Sequence, residues 1–347
     1  MKKTVLAFAV AAAMGVPAVA AADTTLYGRF NVSLDRVDND THKSTQLASN
    51  SSRIGVRGSE DLGGGLRGVF QVEAGLNAAS NAKAFGGSDL TARNTFLGLA
   101  GDFGEVRLGK HDTAYKLSTL RLNFLADTVA DIHNVMGKAE VVTGDVSQNF
   151  YSRDDNMIIY MSPNFEGFQA MVSYVTDRGD DRPGANANDR DAYSLAGTYT
   201  NGPIFVTAAY ENRNDAGVDA DQKAWKIGGS YQIEDLTLAA MFENIEVGSA
   251  DRDAWNISAR YRMGQTYIAG TYAVAGDWGN VSDSGAKMFG LTAGYDLSRR
   301  TGVYAAYVNI DNDAAGRYGI SSGKGKGVAG SGNADVTGFS VGVWHNF

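Results

Sequence analysis

Cysteine is absent from the 347 residues and proline occurs only four times. The first absence excludes disulfides, thiolate metal sites and cysteine nucleophiles. The second leaves little to interrupt hydrogen-bonded ladders: Pro163 and Pro203 sit in or beside tight turns and Pro183 in a longer polar stretch. Histidine is also scarce, and His42, His111, His133 and His345 are scattered without metal-ligand spacing, so no metal or other cofactor is expected. There is no basic excess either, since the formal net charge is -8, and this argues against nucleic acid as a partner. No apolar run is long enough to cross a membrane as a helix.

What is present in quantity is glycine and aromatic side chains, with 43 Gly, 16 Tyr and 15 Phe, and the apolar ones recur on a period of two. In the closing ADVTGFSVGVWHNF, Phe339, Val341, Val343 and Phe347 fall on one face, and Gly338, Ser340 and Gly342 on the other. In DAWNISARYRM, Trp255, Ile257, Ala259, Tyr261 and Met263 oppose Asn256, Ser258, Arg260 and Arg262. KAWKIGGSYQI and LRGVFQVEAGL repeat the pattern, the latter with Arg67, Gln71 and Glu73 on its polar side. One face of each segment suits hydrocarbon and the other suits water.

About sixteen such segments run between residues 24–36 and 335–347, an even number of the kind found in single-chain outer-membrane barrels. Their connections alternate in length. EDLGGG, GDFG, SPNFEG, TNG, IED, MGQ and LSRRTG are tight, whereas those near 37–51, 77–91, 112–153, 177–190, 212–222, 247–252, 276–285 and 311–334 are mostly longer and polar. A soluble sandwich has no reason for this alternation, while an outer-membrane barrel combines short periplasmic turns with long external loops. The fold class is therefore all-β, a transmembrane antiparallel β-barrel of about sixteen strands. In a closed barrel the last strand pairs with the first, which accounts for a chain that ends on Phe347 within the alternating pattern. Phe347 is expected in an aromatic girdle with Trp225, Trp255, Tyr199 and Tyr231.

At the other end, MKKTVLAFAVAAAMGVPAVAAA has a lysine pair, an apolar stretch and small residues up to Ala22, as a secretory signal peptide does. Residues 1–22 are expected to be removed, which takes Lys2 and Lys3 with them and leaves residues 23–347 as the barrel, at a net charge of -10. The glycines Gly63, Gly65 and Gly68 formally fit GxGxxG, but VFQVE continues as a strand where a nucleotide site needs a helix, so a tight turn is the reading adopted.

Residues along the whole mature chain resemble the general porins of Gram-negative bacteria, of the neisserial and beta-proteobacterial type. The motifs are DTTLYGRF, SSRIGVRGSEDLGGGLRGVFQVE, RNTFLGLAGDFGEVRLGK, YMSPNFEGF and VGVWHNF. The resemblance implies a homotrimer of barrels in outer-membrane lipid, inserted by the assembly machinery, each with its third external loop folded into the lumen. The sequence agrees independently, because the third connection, near 112–153, is by far the longest. Within it Leu117, Leu120, Leu122, Phe124, Leu125, Val129, Ile132 and Val135 are too apolar for an exposed tip. Two departures stand out. Trp344 occupies a position where such porins carry a basic residue, and the sixth strand, DNMIIYMSP, is apolar on both faces, so Ile159 and Met161 are expected to pack beneath the loop.

Alternation puts Arg29, Arg53, Arg57, Arg67 and Arg107 on the lumen face, since Leu26, Phe30, Ile54, Val56, Leu66, Phe70, Val106 and Leu108 need lipid. The plain alternative is that these arginines are merely solvated. Lys110 resembles the basic residue that porins carry just before the third loop, although simple alternation sets it outside with Val106 and Leu108. Facing these bases the loop offers Asp127, Asp131, Glu140 and Asp145, and acids on one side against bases on the other would set up a transverse field. The function expected is passive diffusion of ions and small hydrophilic solutes through a water-filled channel, with a solute-specific channel of the same architecture as the alternative. An outer-membrane phospholipase or protease would need a histidine with serine or paired acids at the barrel rim, and no such spacing marks His111 or His133.

Overall fold

The computed structural model describes residues 23–79, 93–138, 149–178, 190–214, 221–321, 325 and 327–347. The expected signal peptide and two of the loop acids, Glu140 and Asp145, lie outside them. Among the described residues seventeen strands follow in order: β1 (Asp23–Asp38), β2 (Lys43–Ser49), β3 (Arg53–Gly63), β4 (Leu66–Gly75), β5 (Thr95–Gly101), β6 (Gly104–Asp112), β7 (Arg153–Met161), β8 (Phe168–Val175), β9 (Ala192–Asn201), β10 (Ile204–Arg213), β11 (Gln222–Ile233), β12 (Leu236–Val247), β13 (Ala250–Met263), β14 (Thr266–Ala275), β15 (Ala286–Asp296), β16 (Thr301–Asn312) and β17 (Asp335–Asn346). From β3 onward each pairs antiparallel with the next, and β17 returns to pair with β1, with Val32 opposite Val343. The sheet is thereby closed.

Strands β2 and β3 are two parts of one stave, because β1 pairs with β2 through Val32↔Ser49 and with β3 through Arg29↔Arg53. The barrel therefore has sixteen staves. At the break Ser51 adopts a left-handed φ of 53°, and the Ser52 hydroxyl accepts the Asn31 N–H at 2.9 Å, so no backbone donor of β1 is lost. This corrects the long first loop expected at 37–51: β1 runs on to Asp38, and only residues 39–42 connect it to β2. The extension was hard to read because KSTQLAS carries a single large apolar side chain, Leu47, on its outer face. The connection expected at 247–252 is likewise a tight turn, since β12 and β13 pair up to Val247↔Ala250.

The outer face is apolar and open, with Leu26 58%, Leu97 65%, Ile227 56% and Ile257 54% exposed, while side chains of the other parity are buried or half-buried inside. In water such a surface would drive association; in hydrocarbon it is the favourable one. Outward tyrosines and tryptophans border it at both ends, Tyr193, Trp225 and Trp255 toward the long loops and Tyr199, Tyr231 and Tyr261 toward the short turns.

The seam is completed by the last residue. The Gly28 N–H donates to the Phe347 carbonyl at 2.9 Å and the Phe347 N–H to the Gly28 carbonyl at 3.0 Å, and the Phe347 ring packs 5.8 Å from that of Phe30. Deleting Phe347 removes two seam hydrogen bonds, worth about 1 kcal/mol each in water and more in hydrocarbon. The deletion, and Phe347→Asp, should leave export intact but lower the amount of inserted barrel. Quantifying the protein in the outer-membrane fraction tests this, and undiminished levels would count against it.

Candidate functional site

After β6 the chain turns inward. Thr113 caps the short helix α1 (Ala114–Thr119) by accepting the Lys116 N–H, and the helix lies on the inner wall, where the backbone N–H groups of Ala114 and Tyr115 donate to Ser173 on β8 and Ser194 on β9. The path continues past β11, whose Lys226 ammonium donates to Thr119 at 2.7 Å, and reaches the far wall, where the Asp127 carbonyl accepts from Asn31 of β1 at 2.9 Å. Leu125, Val129, Ile132 and Val135 are buried against inward side chains of the wall, among them Met241, Met288, Val308 and Val336, and Leu122 is buried with Phe205 and Ala239. Leu120 is the exception at 42% exposed. Ile159 of the doubly apolar strand is fully buried and packs with Leu117.

Buried charges hold the base of this loop. Glu243 on β12 accepts from Arg252 at 3.0 Å, from the Tyr115 hydroxyl at 3.1 Å and from the Gly137 N–H at 2.7 Å, while Arg252 also donates to the Val135 carbonyl and the Tyr318 hydroxyl. Arg213 pairs with Glu211 at 2.7 Å, donates to the Asn149 carbonyl and the Ser152 hydroxyl, and stacks on Phe150. Burial pushes the hydroxyls of Tyr115 and Tyr151 well above the usual tyrosine range, and the Glu243 carboxylate adds to the shift, so Tyr115 stays a donor. Nothing in the sequence identified Glu211, Lys226, Glu243 or Arg252 as loop clamps.

The loop leaves uncovered the wall made by the lower part of β1 and by β3 to β6. Arg29 stands directly across from Arg53, and both share a hollow of about 380 Å³ with Arg57, Tyr27, Gln71 and Glu73. Glu73, which the sequence reading did not single out, receives the Tyr27 hydroxyl at 2.8 Å and pairs with Arg93 at 2.5 Å and Arg53 at 3.7 Å. Arg107 also points inward, bound to Glu105 at 2.7 Å and stacked on Phe96. Arg67 has the same parity but lies at the short-turn end, opposite Asp61 and Ala100.

Asp127 acts electrostatically on Arg53 from the loop side. Two expected partners are not in this group. Lys110 is bonded to Asp155 at 2.8 Å, on the outer parity of β6 with Leu108, because the register irregularity between β6 and β7 adds a residue to β7 and does not turn Lys110 inward. Asp131 is 2% exposed, and its carboxylate accepts from Asn123, the Asp127 N–H and the His133 N–H, so it braces the loop itself. The position of Lys110 follows from simple alternation, whereas nothing in the sequence shows that the backbone claims the Asp131 carboxylate.

The sequence model of the Gram-negative porin family matches residues 9–315. Outer membrane porin protein 32 of Delftia acidovorans is 29% identical over 371 aligned positions that span 100% of both chains. Major outer membrane protein P.IB of Neisseria meningitidis serogroup A is 28% identical over 322 positions, covering 88% of this chain and 86% of that one. Among solved structures, an anion-selective porin from Comamonas acidovorans shares the fold with a TM-score of 0.80 at 23% identity, covering 94% of this chain and 100% of that one. The trimer form of OmpT of Vibrio cholerae does so with a TM-score of 0.67 at 18% identity, again covering 94% and 100%. A closed barrel of sixteen staves with an apolar outside, matched over most of its length by this family, settles the class: the chain belongs to the Gram-negative porins and is an outer-membrane porin.

Proposed function

We propose that the chain is a water-filled, homotrimeric channel for passive diffusion of ions and small hydrophilic solutes, and that its narrow zone, between the inward loop and the wall of β1 and β3, favours anions. The observation that carries the sign is the shared hollow of Arg29, Arg53 and Arg57, which holds a single side-chain carboxylate, Glu73, with Asp127 acting on Arg53 from the loop. Charges beside a narrow, weakly hydrated path act on every passing ion, whereas loop acids at the rim are screened within about 8 Å. The absence of a catalytic step is supported by the histidines, since His111 is held by Arg107 and the Asp112 carbonyl and His133 by Asp131.

The trimer is supported by the distribution of outward aromatics. Tyr160, Tyr174, Tyr193, Tyr210, Trp225, Trp255, Tyr272, Tyr295 and Tyr307 place an outward tyrosine or tryptophan on most staves from β7 to β16. None occurs on the outer face of β17, β1 to β6, which shows Phe30, Leu34, Val72, Leu97, Leu108 and Val341 instead. Interfacial aromatics mark contact with lipid headgroups. An arc of adjacent staves without them fits burial against neighbouring copies, and the trimer form known for the Vibrio neighbour is consistent with this.

Three measurements test these readings. In a KCl gradient, Arg29→Gln with Arg57→Gln should lower the chloride-to-potassium permeability ratio by roughly twofold or more, Asp127→Asn should raise it, and Asp131→Asn should leave it near the native value. An unchanged ratio in the double arginine variant, with the barrel intact, would remove those side chains from the narrow zone. Glu243→Ala strands three buried donors and costs about 3 to 5 kcal/mol; single-channel currents should become larger and noisier as the loop base loosens. Leu97→Arg should convert the unboiled trimer to monomer in detergent, whereas Ile227→Arg, on the lipid side, should lower insertion and leave the surviving protein trimeric.

A further inference from the structure

His111 lies at the long-loop end of β6 with 3% of its surface exposed, and the partners of its two ring nitrogens fix its protonation. The Arg107 guanidinium, which can only donate, meets Nε2 at 2.7 Å through Nη1. The Asp112 carbonyl, which can only accept, meets Nδ1 at 2.8 Å. The proton is therefore on Nδ1, the ring is neutral, and Nε2 is the acceptor that holds Arg107 on the wall. Phe96 of β5 backs both groups, its ring centroid 5.3 Å from that of the imidazole and 4.4 Å from the guanidinium carbon.

A second proton on this ring would set an imidazolium 2.7 Å from a guanidinium, and the carboxylates around the pair are already engaged. Asp112 holds Lys116 of α1 at 2.6 Å and Arg153 of β7 at 3.0 Å. Asp154, opposite His111 in the β6–β7 ladder, accepts from Ser152 at 3.1 Å and has Arg178 at 3.9 Å. Glu105 is bonded to Arg107 itself at 2.7 Å. One of the two cations must therefore move. The imidazole is enclosed by Phe96 and tied to Asp112, whereas the Arg107 side chain is 22% exposed and keeps Glu105 as a tether. The space open to it is a hollow of about 310 Å³, which Arg107 and Glu105 line together with Arg57 and Gln71. Arg57 and Gln71 also line the hollow of Arg29 and Arg53, so Arg107 in this space adds its charge beside theirs.

We propose that His111 is a positioning residue for the charge selectivity of the channel: the neutral ring holds Arg107 against the wall, and the protonated ring releases it toward Arg57, so that anion preference rises in acid. The proposal rests on the channel reading and adds a dependence on pH to it. Imidazole is the side chain whose ordinary titration falls between about pH 5 and pH 8, above that of the carboxylates. The sign follows from the charges. On acidification the lumen wall gains an imidazolium and a freed guanidinium, both positive, next to the arginines on which the anion preference rests.

The test follows the chloride-to-potassium permeability ratio of the full-length porin in a KCl gradient, from about pH 8 down to about pH 4.5, in the native protein, His111→Gln and His111→Leu. Glutamine offers an acceptor at the Nε2 position that does not titrate, so its profile shows what the carboxylates alone contribute. The native ratio should match that profile at the alkaline end and exceed it by roughly 1.5-fold to threefold in acid. Leucine removes the acceptor, so its ratio at the alkaline end should already lie above the native one, and its profile should run parallel to that of glutamine. A packing role for the ring would shift the level of a profile and not its shape. Native and His111→Gln profiles that coincide throughout, or a His111→Leu ratio no higher than the native one at the alkaline end, would overturn the proposal. Both outcomes are differences between proteins that conduct, so they leave the channel reading standing. A native protein that inserts but conducts nothing in KCl would bring down both.

Discussion

Hydrocarbon offers no hydrogen-bond partner to a peptide group, and nearly everything in this protein follows from that. A sheet placed in it must close, so β17 pairs with β1 and even Phe347 is bonded to Gly28. A closed sheet has one face to the lipid and one to the interior, so side chains must alternate, and every inward position becomes available for polar groups. The two-residue period is therefore both the signature of the fold and the device that sets charges along a pore. It also explains why a chain with mean hydropathy of -0.22 can live in a membrane: only half of each strand touches it.

The same constraint decides what could be read in advance. Parity was legible: the inward set Arg29, Arg53, Arg57 and Arg107 and the outward set Leu26, Phe30, Val106 and Leu108 follow from alternation alone. The sixteen staves and the inward course of the third loop were legible for the same reason, because eight apolar residues in a long connection need somewhere to be buried. The upper stave β2 was not, since above the apolar band a strand is no longer obliged to alternate. Partner choice was not legible either. Asp127 and Asp131 look equivalent in sequence, yet the second is taken up by the loop's own N–H groups, and that depends on a local turn that no periodicity encodes.

A loop that crosses a pore faces a difficulty the wall does not. It cannot rest on a continuous apolar core, because the inner wall is half polar, and it cannot be left loose without blocking the channel. The solution is mixed. Leu125, Val129, Ile132 and Val135 find the apolar inward positions of the β12 to β17 wall, and Glu243, Arg252, Glu211, Arg213 and Lys226 supply directed contacts where the wall is charged. Buried ion pairs contribute little net stability over well-packed apolar residues, but breaking one is expensive. They therefore specify a single loop position more than they strengthen the barrel, and position is what a fixed narrowing requires.

Net charge and local charge point in opposite directions here, and magnitudes decide between them. Two unit charges 4 Å apart interact by about 1 kcal/mol in bulk water and about 4 kcal/mol at an effective dielectric of 20. Acids on the rim act in the first regime and the arginines of the β1–β3 wall nearer the second, so a chain with a net charge of -8 can still present a basic path. Too basic a path would hold its ions, since conduction needs binding strong enough to admit a solute and weak enough to release it. Glu73 and Asp127 meet this second requirement. By drawing on Arg53 from the wall and from the loop, they leave Arg29 and Arg57 as the charges that the proposed anion preference rests on. In the proposed anion path the carboxylates of the wall and of the loop thus have a part as well, setting how quickly an attracted ion can leave.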